Sequence, residues 1–489
     1  MEDNKLVRER LEKLNKLRDL GVDPYPHSYK DYTLSDNIKR NFDSLQTGEK
    51  SEQIHSVMGR LMTLRGMGKA NFGHIQDQDG QIQVYIREED IKNFQTFRLT
   101  DIGDIIGVKG KVFKTKKGEI TIWADEFTLL SKSLRPLPEK FHGLQDQETR
   151  YRIRALDLIS NPHVKRTFLL RSKIISAIRE YLDTRGFVEV EIPTLQPVYG
   201  GANARPFTTH INAWDLDLFL SISPELYLKR LIVGGYEKVY TICKNFRNEG
   251  VDKTHNPEFT MMECYWSGAD YNDMMEMTEN LYEFAAKKVL GTTELEFQGQ
   301  KISFKTPWKR LTMYDALKNI ANIDVKELSD EKIFALLDKH KIQYDKKLTT
   351  RGLAIAELFE ELCEKDLIQP TFIIDHPKET SPLCKIKRGD AELIERFEPY
   401  ICGFEIGNAY SELTDPVLQR ELLAKEDERG QDGDDEAHTT DEDFLRAMEY
   451  GMPPTGGLGL GVDRMIMFLT DAATIRDVIL FPTMKPENK

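Results

Sequence analysis

Residues 244–266 read KNFRNEGVDKTHNPEFTMMECYW. Arg247 leads a polar connection that carries Glu249, His255 and Pro257. An apolar run follows, in which one carboxylate, Glu263, stands two residues before Tyr265. A guanidinium is a planar fork that fits a carboxylate or a phosphate. A carboxylate set among apolar neighbours is costly unless it is paired or bound to a cation. Glu225 repeats the pattern in SISPELYLKRL. Several such acids and two arginines suit a ligand that carries both ammonium and anionic groups.

Two further stretches have the same character. In RFEPYICGFEIGNAYSELTDP, residues 396–416, Glu398, Glu405 and Glu412 recur every seven residues among apolar and aromatic side chains. A straight strand would point Glu405 and Asn408 to opposite faces, so a bend is expected between them. Mg²⁺ takes one or two carboxylates plus phosphate oxygens, which makes Glu398 and Glu405 candidates to hold Mg²⁺ with ATP; the bland reading is an edge strand with surface glutamates. In GGLGLGVDRMIMFLT, residues 456–470, a glycine-rich turn is expected to enter an apolar helix with Arg464 in its first turn. The G-x-G-x-G spacing misses the dinucleotide fingerprint, and too little chain follows to complete its βαβ unit. A cation at a helix N-terminus opposes the dipole, so Arg464 calls for a compensating anion such as a phosphate. A close-packed helix with a surface arginine is the alternative.

The elements that must position these residues fall into two groups. Residues 5–20 have helical periodicity, with Val7, Leu11 and Leu14 in one apolar row; their six basic side chains serve either a solvated face or an RNA grip. Residues 55–130 alternate between turn signals such as DQDGQ and KTKKGE. About five short strands in that length predict a small barrel, with the OB-fold the leading candidate. Lysines at 109, 111, 114, 116 and 117 give one hairpin a positive edge. By pattern alone Phe72 reads as core more readily than as an exposed stacking ring. After a proline-bearing linker, with a boundary near 145, the remaining chain forms one large domain. Helices are expected at 166–185, 225–234, 271–290, 330–365 and 441–450, and strands at 188–192, 238–243, 259–266, 371–374 and 403–412. The acidic stretch 425–444 reads as a solvated loop leading into a helix capped near Thr440 or Asp441.

Composition bounds the whole. The chain has 489 residues, enough for two or three domains, and 40% apolar residues, enough for real cores. No apolar run is long enough to span a bilayer, and no signal-peptide pattern opens the chain. Five scattered cysteines form no CxxC pair, so a reducing cytoplasm is expected rather than a disulfide scaffold or a zinc site. A net charge of −13 argues against indiscriminate nucleic-acid binding without excluding a local basic face.

Residues 145–485 resemble the catalytic domain of a class II aminoacyl-tRNA synthetase of the lysyl subgroup. RGFVEVEIPTL with Pro193 resembles motif 1 (about 180–197). FRNEGVDKTHNPEFTMMECYW resembles motif 2 (about 240–268), and GLGLGVDRMIMFL resembles motif 3 (456–470). GGANARPF, PELYLKRL, GNAYSELTDP and GMPPTGGLGLGVDR are close to lysyl-type strings, and RGMGKANF and FHGLQDQETRYR are similar to the family's N-terminal region.

The resemblance implies an α+β fold. A six- or seven-stranded antiparallel class II sheet flanked by helices (146–489) would follow an N-terminal helix and OB-fold β-barrel for the anticodon (1–145), and motif 1 would lie at a homodimer interface. It implies activation of L-lysine by ATP with Mg²⁺, then transfer to lysine tRNA. Arg247 would bind the α-phosphate and the lysine carboxylate; Phe259 would stack on adenine, with Glu249 and His255 reaching adenine and phosphates. Arg464 would hold the γ-phosphate, and Glu398 and Glu405 would hold Mg²⁺. Glu225 and Glu263 would serve the α-ammonium, Glu412 and Tyr265 the ε-ammonium, Asn408 the carboxylate and Tyr410 the stem. Arg65, Phe72, Gln83 and Glu126 would read the anticodon, which reverses the pattern-based preference for Phe72 as core. Ile211, Ser221, Lys244 and the PYICG string depart from the family's usual residues beside the site. A protein-modifying lysyl-transferring paralogue would lack residues 55–130, an aspartyl or asparaginyl type is disfavoured by Glu412 and Tyr265, and a non-catalytic RNA-binding relative should have lost Arg247, Arg464, Glu398 or Glu405.

Overall fold

The computed structural model describes residues 5–138, 144–431 and 439–487. Residues 141–143 of FHGLQDQETRYR and residues 432–438 of the acidic stretch lie outside the described residues. Two compact units emerge, Met1–Gln145 and Asp146–Lys489.

In the first unit, the helix Lys5–Asp19 buries Val7, Leu14 and Leu17, while Leu6 and Leu20 stay exposed. Two of its basic side chains are structural. Arg10 donates to the carbonyls of Ile102, Ser133 and Arg135, and Lys13 pairs with Asp101 at 2.5 Å. Five strands, Lys50–Met67, Ala70–Gln76, Gln81–Arg87, Ile105–Lys114 and Ile120–Ser131, close into a barrel. Alternation sets its inside: Ile82, Val84 and Ile86 are buried while the residues between them face outward. Part of the lysine edge is neutralised, since Lys109 pairs with Glu126 and Lys111 with Glu52.

The second unit is built on a nine-stranded sheet. Its order is Lys309–Thr312, Thr371–Pro377, Leu393–Ile401, Gly407–Ser411, Thr455–Gly461, Glu258–Ser267, Lys238–Phe246 and Val188–Glu189, with Phe404–Glu405 paired to Leu393–Ile401. The expectation of six or seven antiparallel strands is corrected in number. It is also corrected at both edges, where Lys309–Thr312 and Val188–Glu189 pair in parallel. The main core lies between this sheet and the helices Pro162–Asp183, Tyr271–Leu290 and Val462–Thr470. The helix Tyr271–Leu290 starts at a capping box of Asp270 and Asp273 and stops at Gly291, whose φ of 77° ends it. A second apolar cluster gathers Met313–Ile320, Asp330–His340 and Arg351–Cys363. The single helix expected over 330–365 is thus two helices, the second capped by the Thr350 side chain.

The glycine-rich segment Thr455–Gly461 is a central strand, paired on both sides, and not a turn. Residues 425–431 belong to the helix Pro416–Gln431 rather than to a loop, whereas Asp441 caps the next helix by accepting from the Phe444 amide.

Candidate active site

The central strands open onto a cavity of about 350 Å³. Arg247, Glu249, His255, Phe259, Glu225, Glu263, Tyr265, Glu398, Glu405, Asn408, Tyr410 and Arg464 all line it. They reach it from distant parts of the chain because the strands Lys238–Phe246, Glu258–Ser267, Leu393–Ile401, Gly407–Ser411 and Thr455–Gly461 lie side by side. The bend expected between Glu405 and Asn408 exists: the strand breaks at Ile406, so both side chains face the cavity.

The carboxylates form one contact group. Glu263 accepts from the Ser223 hydroxyl at 2.8 Å and from the Tyr265 hydroxyl at 3.1 Å. Burial, and then the charge of Glu225, push its carboxyl up to about 8. Glu225 opens a helix, Glu225–Val233, and accepts from the Tyr410 hydroxyl at 2.6 Å. Tyr410 therefore holds Glu225 as well as walling the cavity. Glu412 is set apart from the other candidates: it does not line the cavity but sits behind Tyr265 and Gly457, 1% exposed. Its Oε2 is 2.5 Å from the Lys229 ammonium, an ion pair, but among the described residues neither buried carboxylate oxygen has a partner in hydrogen-bond geometry. A Cβ on Gly457 would stand 2.0 Å from Glu412 Oε1, so only glycine leaves room for the carboxylate there.

The arginines and the remaining acids form the second group. Arg247 is half-buried, its buried Nε has no hydrogen-bond partner among the described residues, and its guanidinium lies 5.2 Å from the Phe259 ring centre. Burial lowers its pKa against the pull of Glu249, Glu405 and Glu263, which puts it within charge range of both groups. Arg464, in the first turn of Val462–Thr470, approaches Glu405 Oε2 at 3.6 Å and His255 Nε2 at 3.3 Å. Glu405 thus supplies part of the anionic compensation that its position at a helix N-terminus demands. Burial and then Glu398 raise the Glu405 pKa. Among the described residues no group of three or more His, Cys, Asp or Glu is arranged for a metal ion. Two adjoining carboxylates, one with a raised pKa, nevertheless fit Mg²⁺, which completes its shell with water and phosphate oxygens.

Four residues escaped sequence reasoning. Arg396 lines the cavity, donates to Asn408 Oδ1 at 2.9 Å and pairs with Glu398 at 2.5 Å. It therefore leaves the Asn408 amide nitrogen free to donate. Asp463 accepts from the Thr260 amide at 2.6 Å and from Arg171 at 2.5 Å, and Arg171 also donates to the Thr260 hydroxyl. That knot ties the helices Pro162–Asp183 and Val462–Thr470 to the strand Glu258–Ser267. Lys229 is the fourth, and its signal was available: it lies four residues after Glu225 on one helix, the spacing of an ion pair. Of the departures, Ser221 donates to the Ser223 carbonyl at 3.1 Å and so supports the residue that holds Glu263, and Lys244 pairs with Glu258 across two strands at 3.4 Å.

The barrel presents its candidates on its outer face. Arg65 pairs in register with Phe72, and Phe72 with Tyr85. Phe72 is 39% exposed and stacks on Tyr85 at 4.4 Å. Trp123 meets Tyr85 edge-on, extending the platform by a ring that the sequence did not single out. Gln83 bridges Thr121 and Glu119, and Glu126 pairs with Lys109.

Residues 146–485 match the family of tRNA synthetases class II (D, K and N). The chain belongs to that family. The synthetase also carries a match to the OB-fold nucleic acid binding domain over residues 55–130. It is 53% identical over 494 residues to a lysine–tRNA ligase of Clostridium novyi, covering 99% of this chain and 95% of that protein. The lysine–tRNA ligase of Thermoanaerobacter pseudethanolicus is 52% identical over 489 residues, with 99% and 97% covered. That of Carboxydothermus hydrogenoformans is 51% identical over 488 residues, with 99% of each chain covered. No helix among the synthetase's described residues is long and apolar enough to cross a membrane.

Proposed function

We propose that this synthetase is a lysine–tRNA ligase, which joins L-lysine to ATP as lysyl-adenylate and pyrophosphate and then passes the lysyl group to the 3′ end of lysine tRNA. The observation that carries this reading is the Glu412 carboxylate, a buried acceptor that has no hydrogen-bond partner among the described residues and lies behind a cavity already lined by Glu225 and Glu263. A ligand with two ammonium groups satisfies such a site; an acidic side chain would meet only like charge.

In the first step a carboxylate oxygen of lysine attacks the α-phosphorus and the bond to pyrophosphate breaks. No side-chain nucleophile takes part. Glu225 and Glu263 hold the α-ammonium, and Glu412 with Tyr265 holds the ε-ammonium. Tyr410 walls the stem, and Asn408 donates to the carboxylate. Phe259 stacks on adenine, Glu249 and His255 reach the nucleotide, Arg464 takes the terminal phosphate, and Arg247 spans the lysine carboxylate and the α-phosphate. Its unpartnered Nε supports that role. Catalysis is then orientation plus fixed positive charge where the reacting oxygens gather charge. Mg²⁺, held by Glu398 and Glu405, would supply further neutralisation of the phosphates. In the second step a hydroxyl of the terminal ribose attacks the lysyl carbonyl and AMP leaves.

Arg65, Phe72, Gln83 and Glu126 are assigned to the anticodon, a role that the exposed stacked ring of Phe72 supports. A homodimer through motif 1 is supported by Val188, Leu195, Trp214 and Leu216, exposed apolar side chains in and near that segment. A cytoplasmic setting suits its free cysteines. The test is amino-acid-dependent ATP–pyrophosphate exchange with all twenty amino acids. Exchange with lysine alone is expected; exchange with another amino acid overturns the pocket assignment, and none with any overturns the reading.

A further inference from the structure

Lys229 is fully buried, and its ammonium lies 2.5 Å from Glu225 Oε1 and 2.5 Å from Glu412 Oε2. These are the carboxylates that the proposed function assigns to the two ends of lysine. The chain thus keeps an ammonium of its own between them. Two aromatic rings face it as well, Tyr410 at 5.5 Å and Phe444 at 5.9 Å. A buried lysine in this position is expensive, and an apolar side chain beside the Tyr410 and Phe444 rings would avoid the cost of burying a charge.

We propose that Lys229 is a specificity-determining positioning residue, a resident counter-ion that sets the charge of the amino-acid pocket so that it accepts two ammonium groups and no more. The inference rests on the lysine-activating reading above. The arithmetic is formal but strict. With lysine bound and all three carboxyls ionised, Glu225, Glu263 and Glu412 contribute three negative charges and Lys229 one positive charge, leaving two to be met by the ligand. The two ammonium groups of lysine balance them, and the lysine carboxylate is left to Arg247 and Asn408. Without Lys229 the lysine-bound pocket would carry one unmet buried negative charge, which a further proton on a carboxyl would have to neutralise.

Geometry adds a second effect. Lys229 occupies Oε2 of Glu412 and thereby turns Oε1 toward Tyr265 and Gly457, which border the cavity. At the other end it shares Glu225 Oε1 with the Tyr410 hydroxyl, which fixes that carboxylate before any ligand arrives. Burial opposes the charge on Lys229, but Glu225 and Glu412 outweigh it and raise its pKa, so the ammonium persists.

The test is exchange kinetics on the full chain with wild type, K229M, E412Q and the double variant. K229M is expected to raise the lysine KM by about 30-fold or more while the ATP KM changes little. In the E412Q background the same substitution is expected to cost at least about tenfold less, because a cation and a carboxylate then leave together. Lysine and ATP KM rising together, or an equal cost of K229M in both backgrounds, would overturn the proposal. Should K229M alone fail to fold, the double variant decides: a lysine KM within about threefold of E412Q supports the counter-ion role, and a rise beyond about tenfold overturns it. Wild-type enzyme without lysine-dependent exchange would instead remove the reading on which the inference rests, and the inference with it.

Discussion

Glu263 shows how burial turns one side chain into a pH-dependent contact. Unfolded, it ionises at an ordinary 4.5; folded, burial and the neighbouring Glu225 push it to about 8. At neutral pH the empty pocket therefore holds it protonated, and gripping an ammonium requires the proton to leave. Ser223 and Tyr265 donate to it, and Glu225 raises and Arg247 lowers its pKa by charge. The lysine KM should fall as pH rises through about 8 and then level, with the ATP KM flat. In E263Q the lysine KM should be higher and lose that dependence. The stability effect has the opposite sign. The neutral carboxyl stabilises fully below its unfolded pKa and the benefit is lost as pH rises through about 8, so E263Q should melt higher than wild type in mildly alkaline buffer, by about 1–3 kcal/mol, and equally in acid. R247A should slow adenylate formation by about 3 kcal/mol of barrier, a loss of over a hundredfold, since a fixed charge at the reacting phosphate is lost. Near wild-type exchange would take Arg247 out of that role.

Enclosed carboxylates and two arginines left a signal in the sequence, but pattern alone kept surface alternatives open and the individual roles came only with the resemblance to the family; the elements that carry them were legible less evenly. Helices with clean periodicity and caps, such as Tyr271–Leu290, appeared where the pattern put them. The strand Thr455–Gly461 did not, because glycine ordinarily marks turns. Here it marks close approach: Met274 presses on Gly456 from one face, and Glu412 and Tyr265 press on Gly457 from the other. No local pattern reveals that the crowding comes from side chains more than 40 residues away in sequence on the Glu412 side, as positions 412 and 457 show. Arg396 and Asp463 were missed for the same reason, since partners such as Asn408 and Thr260 are set by strand order. G457A tests the element. Its methyl would meet Glu412 Oε1 at 2.0 Å and Tyr265 Cε1 at 2.6 Å, so the carboxylate or the ring must move. A stability loss of about 1–3 kcal/mol and a lysine KM raised by about tenfold are expected, read by thermal melting and exchange. An unchanged lysine KM would show that Glu412 can shift without consequence.

At the scale of the whole chain, the two compact units divide the chemistry as well as the fold. The cavity with its carboxylates and arginines belongs to Asp146–Lys489, and the exposed aromatic platform belongs to Met1–Gln145. Activation needs only lysine and ATP, whereas charging needs tRNA, so damage to the platform should separate the two steps. F72A removes the ring that stacks on Tyr85 and is 39% exposed, so little core is lost. Base stacking on an aromatic ring is worth about 1–3 kcal/mol. The expected result is a fall of about 10- to 100-fold in kcat/KM for tRNA lysylation with exchange unaltered. A parallel fall in exchange would mean that Phe72 supports the fold of the chain rather than its RNA contact. Unchanged lysylation would mean that the outer barrel face does not touch the tRNA. Trp123, edge-on to Tyr85 and held by Asp90 at 2.8 Å, offers the internal control: W123F should weaken the support of the platform less than F72A weakens the platform itself.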